Sequence, residues 1–155
     1  MSTMKKQLQR SNCPINFSLE TFGDSWSLLI IRDIVFWGKK TYGEFLESKE
    51  GIASNILAAR LRHLVEMGLL RKLPNPKDRR QSLYQLTDKG LDLIPMLLEM
   101  AGWATRNDPH TSSPRAFVEY IYAHREDMFK LIRETVQNGG SLFAGKDRVI
   151  DKVKQ

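Results

Sequence analysis

Apolar residues recur every three or four positions along most of the chain, and this spacing predicts a mainly helical protein. The first helix is expected to begin at Pro14, because proline suits a first helical turn, and to end at Gly23. Asp24 is a candidate N-cap for a second helix, from Ser25 to about Phe36. This second helix is apolar on nearly every side, which is typical of a helix buried at the centre of a fold.

A short helix followed by a turn comes next. Thr41 and Glu44 have the spacing of a capping box, in which the hydroxyl and the carboxylate each satisfy a free backbone N–H group at the helix start. The helix is expected to end at about Ser48, and residues 49–51 form a turn. The basic loop before it contributes Lys40.

The helix predicted over residues 53–67 has two different faces. Leu57, Leu61 and Leu64 fall on one side at helical spacing and are expected to face the core. Either Ala53 or Ser54 begins the helix, and Ser54 is the better cap chemically. Gly68 ends the helix.

A hairpin is predicted after this helix. Residues 69–73 and 82–86 are candidate strands, and the segment 74–81 (PNPKDRRQ) between them is rich in turn-forming residues. Three of its residues, Lys77, Arg79 and Arg80, are basic, so the tip of the hairpin should carry positive charge.

Two long helices are predicted beyond the hairpin. Thr87 caps a helix that runs to about Thr105, and Pro95 should kink it near Leu91, since the proline ring crowds the carbonyl four residues earlier. After a linker over residues 106–113, a last helix spans 114–138.

The face of the 53–67 helix opposite the leucines carries unusually small side chains. Stepping 100° per residue places Asn55, Ala59 and Arg62 there, with Ala58 at the side. A helix that enters the major groove of DNA, about 12 Å wide, needs a face without long side chains everywhere. Asn can pair with adenine, and Arg with guanine or phosphate. The alternative is that the alanines pack against a neighbouring element and the arginine faces water.

Three helices followed by a two-stranded hairpin form the layout of a winged helix-turn-helix, a mainly α fold with a small β-hairpin (α+β). The N-terminal end of the capped helix can hold a phosphate, which makes Lys40, Thr41 and Tyr42 further candidates for DNA contact. Ser54, at the start of the next helix, is another candidate for DNA contact.

The charge of the chain also favours binding to nucleic acid. The 155 residues carry a net charge of +6 and a pI near 9.5. Residues 51–90 alone contain eight Lys or Arg against three acidic residues. This surplus favours an acidic partner such as nucleic acid, although charge alone does not identify one.

Several short stretches resemble the HxlR family of bacterial winged-helix transcriptional regulators. They are Cys13-Pro14, FGDSWSLLI at 22–30, YGEF at 42–45, GIASNIL at 51–57, Arg60-Leu61 and YQLTDKG at 84–90. The resemblance covers about residues 12–105. It implies a homodimer, built mainly from the first helix and the helix after the wing, that reads a pseudo-palindromic operator in double-stranded DNA. One departure is Ala53, where many members have serine.

With this resemblance the chain divides into three parts. Residues 1–12 are expected to be a flexible basic arm, and residues 13–105 the winged helix-turn-helix domain with its dimerisation helices. Residues 106–155 are a linker and a C-terminal helix with a partly disordered tail. The apolar stripe of the 114–138 helix either extends the dimer or packs on its own chain.

Some members of the family sense oxidants or electrophiles through a cysteine just before the proline, and Cys13 matches that position. Lys5, Lys6 and Arg10 lie close in sequence and would favour the reactive thiolate. The alternative is an unreactive thiol at a helix start. As the chain has one cysteine, a disulfide would have to join two subunits or a small thiol.

Other classes of function find little support in the sequence. The three histidines lack an acid–base partner set, and no His/Cys cluster has metal-ligand spacing, so we expect neither an enzyme, nor a metal site, nor a cofactor. The stretch 140–146 (GSLFAGK) resembles part of a P-loop, but Asp147 stands where Ser or Thr is needed. No apolar run is long enough for a signal peptide or a membrane span, so a cytoplasmic location is expected. The remaining alternative is a winged helix that binds a protein partner.

Overall fold

The structure, a computed structural model, describes residues 10–153 as a helical fold with one β-hairpin. The mainly α prediction with a small hairpin is confirmed. Most of the expected basic arm, residues 1–9, lies outside the described residues. In chain order the elements are α1 (Pro14–Phe22), α2 (Ser25–Trp37), α3 (Tyr42–Leu46), α4 (Ser54–Glu66), β1 (Leu70–Pro74), β2 (Ser82–Leu86), α5 (Asp88–Leu91), α6 (Ile94–Asn107), α7 (Arg115–Ala123), α8 (Arg125–Gln137) and α9 (Val149–Lys152).

The second helix occupies the centre of the fold, as its all-round apolar pattern predicts. Ile31 and Val35 of α2 are fully buried. The leucine face of α4 packs into the same core, with Leu57 and Leu64 completely enclosed. The prediction of α2 as the core helix is therefore confirmed.

The predicted caps are present, with two differences. The Asp24 carboxylate accepts a hydrogen bond from the Ser27 backbone N–H at 2.9 Å, and the Thr41 hydroxyl accepts one from the Glu44 N–H at 3.2 Å. The Glu44 carboxylate, however, accepts from the N–H of Lys40, one residue before the expected partner.

The second difference concerns the start of α4. Ala53, with extended backbone angles, occupies the N-cap position and offers no side-chain oxygen, and Ser54 is the first helical residue. Of the two residues left open by the sequence, Ala53 is the N-cap, and Ser54, the better cap chemically, lies one position inside the helix.

The hairpin forms as predicted and is antiparallel. Its register pairs Leu70 with Leu86 and Lys72 with Tyr84. The first strand begins one residue later than expected. Gly68 just before it has a φ of +76°, a left-handed conformation that glycine adopts without strain.

The helix predicted to run from residue 88 to about 105 is two helices. The regular α-helix stops after Leu91 and resumes at Ile94, with Pro95 in the first turn of α6, while Asp92 and Leu93 between them keep right-handed helical backbone angles. Proline lacks the N–H that would bond the Leu91 carbonyl, and a first helical turn needs no such donor. The interruption at residues 92–93 falls just after Leu91, where the kink was expected.

The helix predicted over 114–138 is also divided. His124 has φ −128° and ψ 43°, outside the helical region, and separates α7 from α8. Pro114 is the N-cap residue of α7, and the expected role as first helical residue falls to Arg115. The break lets the apolar sides of α7 and α8 face the same core.

The stripe on α7 and α8 packs against its own chain. Its buried members are Phe117, Ile121, Met128, Ile132 and Val136. They belong to the same core cluster as α2 and α6. Because these side chains are already enclosed, they have no apolar surface left for a second subunit, and the packing alternative is the one that the structure supports.

The segment that follows α8 packs against the core as far as the described residues extend. The backbone N–H groups of Leu142 and Phe143 donate to the carbonyls of Val35 and Phe36 at 2.9 and 3.0 Å. Leu142 and Val149 are buried. The segment has no apolar periodicity of its own. It is held in place by the last turn of α2, because its N–H groups bond the carbonyls that have no partner within that helix.

Candidate nucleic-acid interface

The helix-turn-helix pair consists of α3 and α4 joined by the segment 47–53. Tyr42 at the start of α3 donates a hydrogen bond from its hydroxyl to the backbone carbonyl of Ser54, at 2.9 Å. This bond fixes the beginning of α4 against α3. The two helix N-termini consequently lie next to each other.

The face of α4 opposite the leucines lies on the surface of the protein. Ser54, Asn55, Ala59 and Arg62 are exposed, while Ala58 is half-buried. The structure therefore brings together the residues that the helical spacing predicts to share a face. Small side chains separate the amide of Asn55 from the guanidinium of Arg62, so the helix backbone can come close to a partner surface.

A groove of about 260 Å³ separates α4 from the hairpin. Its lining includes Leu61 and Val65, with Arg62 on the helix side and Lys72 on the strand side. Lys72 was not among the site residues predicted from the sequence. Lys72 pairs with Tyr84 in the hairpin, and Tyr84 also lines the groove. That this strand pair lies beside α4 became apparent only from the fold.

The tip of the hairpin presents its cations to solvent. Lys77, Arg79 and Arg80 are exposed. The Asp78 carboxylate accepts from the Arg80 N–H at 3.0 Å and lies 3.2 Å from the Arg80 Nε, so it shapes the turn and offsets part of that charge. Exposed ion pairs are weak, and Arg80, with 91% of its side chain exposed, can exchange this partner for another anion.

The loop before α3 joins the hairpin to the helix-turn-helix pair. The Lys40 carbonyl accepts a hydrogen bond from the Tyr84 N–H at 2.8 Å. Lys40, Thr41 and Tyr42 are half-buried in this junction. Tyr42 also lines the groove between α4 and the hairpin, whereas Lys40 lines a separate pocket with Gln137 and Gly139 at the end of α8.

An ion-pair network holds the turn between α3 and α4 against α2. The two terminal guanidinium nitrogens of Arg32 contact the Glu50 carboxylate, at 2.5 and 3.0 Å. The hydrogen bond from Arg32 lowers the pKa of Glu50 to about 2. Buried Asp33 also accepts from Arg32, at 2.6 Å, and from the hydroxyl of Ser48. The network thus holds the first half of the turn, at Ser48 and Glu50, against α2.

Large apolar side chains remain exposed outside this interface, on α1, on α6 and at Trp37 of α2. On α1 the exposed fractions are 67% for Ile15 and 60% for Leu19, and on α6 they are 63% for Trp103 and 47% for Met100. Cys13 is exposed at the N-cap of α1. Concentrations of exposed apolar surface of this kind mark sites of association.

Within residues 10–153 no group of three or more His, Cys, Asp or Glu side chains is arranged to hold a metal ion. Nor does any helix in the described part of the chain have the length and apolar character to cross a membrane.

Together the exposed face of α4, the preceding helix α3 and the basic hairpin define a winged helix-turn-helix protein. Residues 21–112, more than half of the chain, match the family of HxlR-like helix-turn-helix proteins. The chain belongs to this family, which confirms the resemblance drawn from the sequence.

Individual relatives agree with this membership. The HTH-type transcriptional regulator MT3179 of Mycobacterium tuberculosis, itself uncharacterized, is 35% identical over 97 residues, which cover 63% of this chain and 60% of that protein. YybR of Bacillus subtilis, also an uncharacterized HTH-type transcriptional regulator, is 28% identical over 98 residues, or 63% and 78% of the two chains. The match thus spans about 60% of the length of the first of these relatives.

Solved structures show the same fold. The structure of PA1607, a candidate transcription factor, has a TM-score of 0.56 and 38% identity, covering 68% of this chain and 70% of that one. The redox regulator HypR in its oxidized form has a TM-score of 0.54 and 25% identity, covering 61% of this chain and 96% of its own.

Proposed function

We propose that the protein is a sequence-specific DNA-binding transcriptional regulator that acts as a homodimer on a pseudo-palindromic operator. The observation that carries the proposal is the exposed face of α4, on which small residues lie between Asn55 and Arg62. A face of this shape suits the major groove, and the basic hairpin beside it suits the flanking backbone. Family membership supports the same conclusion.

The residues divide into two functional groups. Asn55 and Arg62 read base edges, and Ser54, Ala58 and Ala59 let the helix approach them closely. Backbone phosphates are held around the rim of the interface, where contacts contribute affinity without selecting a sequence. The residues assigned to this rim are Lys40, Thr41, Tyr42, Lys77, Arg79 and Arg80, to which the groove geometry adds Lys72.

The homodimer is proposed to form through α1 and α6. Ile15, Leu19, Met100 and Trp103 expose apolar area that a second copy would cover. A twofold dimer presents two α4 helices, and these would read two half-sites about one helical turn, roughly 34–36 Å, apart. A pseudo-palindromic operator follows from that symmetry.

Cys13 is proposed as a candidate redox-sensing residue. Its thiol is exposed at the N-cap of α1, two residues before the exposed Ile15. An intersubunit disulfide or a mixed disulfide there would disturb the proposed dimer surface. The similarity in fold to HypR, a redox regulator, supports testing this position.

The experiment that tests the proposal titrates purified protein into labelled DNA from its own upstream region, at several salt concentrations. A scrambled duplex of equal length and composition is the control. Tight binding and protection of one imperfect palindrome at moderate salt is the expected result. Equal, strongly salt-dependent binding to both duplexes would contradict sequence specificity for that DNA. Absence of binding even at low salt would favour a protein-interaction module.

A further inference from the structure

The helix α1 is held to the rest of the protein by few buried groups. Thr21 is the buried residue of this helix, whereas Ile15, Phe17 and Leu19 are exposed. Phe22, at the end of the helix, is half-buried against the core. With so little packing, individual polar contacts make up a large part of what fixes the direction of α1.

A side chain of α4 makes one of these contacts. The Nε2 atom of His63 lies 2.8 Å from the backbone carbonyl oxygen of Thr21. A carbonyl can only accept, so Nε2 carries the proton and donates it. The carbonyl is among the last four of α1, which find no partner within their own helix. His63 thus satisfies the end of α1 from the helix that carries Asn55 and Arg62.

A second contact joins the same two regions. The guanidinium of Arg60, one turn of α4 before His63, lies 3.7 Å from the carboxylate of Asp24. Asp24 in turn caps α2 and directly follows the residue that ends α1. Two side chains from one edge of α4 therefore reach the corner between α1 and α2.

We infer that His63 is a positioning residue that sets the angle between α1 and α4, and through it the spacing of half-sites that the dimer accepts. The inference rests on the proposed function, in which α1 contacts the second subunit and α4 reads the DNA. In such a dimer the distance between the two α4 helices depends on how each is fixed to its α1. Loss of the His63 bond frees this angle without altering any side chain on the reading face.

Spacing discrimination is the property to measure, because general destabilisation would weaken binding to every spacing alike. The DNA probes are the footprinted operator, the same operator with one or two base pairs inserted at its centre, and a single half-site. The variants are His63→Leu, which removes the donor, and His63→Gln, whose amide nitrogen can take the place of Nε2. His63→Asn, too short to reach the carbonyl, provides a second loss of the bond with a polar side chain.

The unaltered protein should prefer the natural spacing. His63→Leu and His63→Asn should reduce that preference by about fivefold, the factor that corresponds to one ordinary hydrogen bond, with unchanged affinity for the single half-site. His63→Gln should restore it. If His63→Leu does not fold, the test uses His63→Asn, for which the same reduction in preference for the natural spacing is expected.

A spacing preference in folded His63→Asn equal to that of the unaltered protein would overturn the inference while leaving the proposed function intact. If the unaltered protein binds operator and scrambled DNA equally, the proposed function fails, and the inference fails with it. Arg60→Gln provides an independent comparison, since loss of its weaker, longer contact should reduce the ratio less than His63→Asn does.

Discussion

Arg32 and Glu50 form a two-point ion pair that ties the central helix α2 to the turn of the helix-turn-helix, with nitrogen–oxygen distances of 2.5 and 3.0 Å. The two residues are eighteen positions apart in the sequence. This pair lowers the pKa of Glu50 to about 2. A carboxyl group with a lowered pKa in the folded state stabilises the protein wherever it is ionised.

The contribution of Glu50 to stability should depend on pH in a defined window. It is fully present above about pH 4.5, near the ordinary pKa of Glu, and is lost as the pH falls towards about 2. Because 36% of the Glu50 side chain is exposed, solvent screening limits the effect, and Glu50→Gln should cost about 1 kcal/mol at neutral pH. Denaturant unfolding at several pH values measures this. Glu47→Gln is the matched control, since Glu47 is exposed and makes no ion pair within the described residues. An equal loss in both variants would contradict the role of the pair.

Substitutions on α4 and on the hairpin should have separable effects on DNA binding. Asn55→Ala or Arg62→Ala should relax the preference for operator over scrambled DNA by about 1–3 kcal/mol, the value of one base-specific pair. Arg79→Ala with Arg80→Ala should weaken binding to both duplexes and reduce its salt dependence. Titrations at three salt concentrations distinguish the two. Equal loss of sequence preference in both sets would contradict the division into reading and backbone residues.

The oligomeric state should respond to charge placed on the exposed apolar surface of α6. Trp103→Glu should shift the dimer towards monomer, because an ionised carboxylate would be buried without a partner. Analytical ultracentrifugation over a concentration range measures the change. Trp37→Glu is a control of the same residue type, 48% exposed on α2 and outside the proposed interface. A dimer that persists in Trp103→Glu and dissociates in Trp37→Glu would place the interface elsewhere.

The C-terminal segment should contribute to stability. Leu142 is 1% exposed and its N–H caps α2, so Leu142→Ala should destabilise the protein by about 2–5 kcal/mol. Thermal or urea unfolding gives the value. Lys146→Ala in the neighbouring exposed loop is expected to change stability by less than about 0.5 kcal/mol. Identical unfolding curves for Leu142→Ala and the unaltered protein would show that the segment does not pack in solution.

Oxidation should act through Cys13 if this residue is a sensor. Mild oxidant is expected to produce a dimer-sized band on a non-reducing gel, or a mixed disulfide with added small thiol, together with reduced operator binding. Cys13→Ser should abolish both changes and bind operator normally without oxidant. An oxidant response that survives in Cys13→Ser rules out this role.

The chemistry of residues close together in the sequence was sufficient to predict many elements of the fold. The caps at Asp24 and Thr41 and the buried character of α2 could be predicted, because each depends on residues within one or two helical turns. The hairpin followed from the turn residues between two short apolar runs. The exposed face of α4 followed from its period of 3.6 residues, which places Asn55 and Arg62 on one side wherever the helix lies in the fold.

Tertiary structure decided what depends on residues distant in sequence. The spacing of apolar residues in 114–138 is continuous, so the break at His124 was not visible in it. Residues 139–153 have no periodicity of their own, and their order comes from the free carbonyls of α2 and the burial of Leu142. The nearness of Lys72 to Arg62 and the bond from His63 to Thr21 likewise arise only when strands and helices pack, since local propensity contains no information about which surfaces will meet.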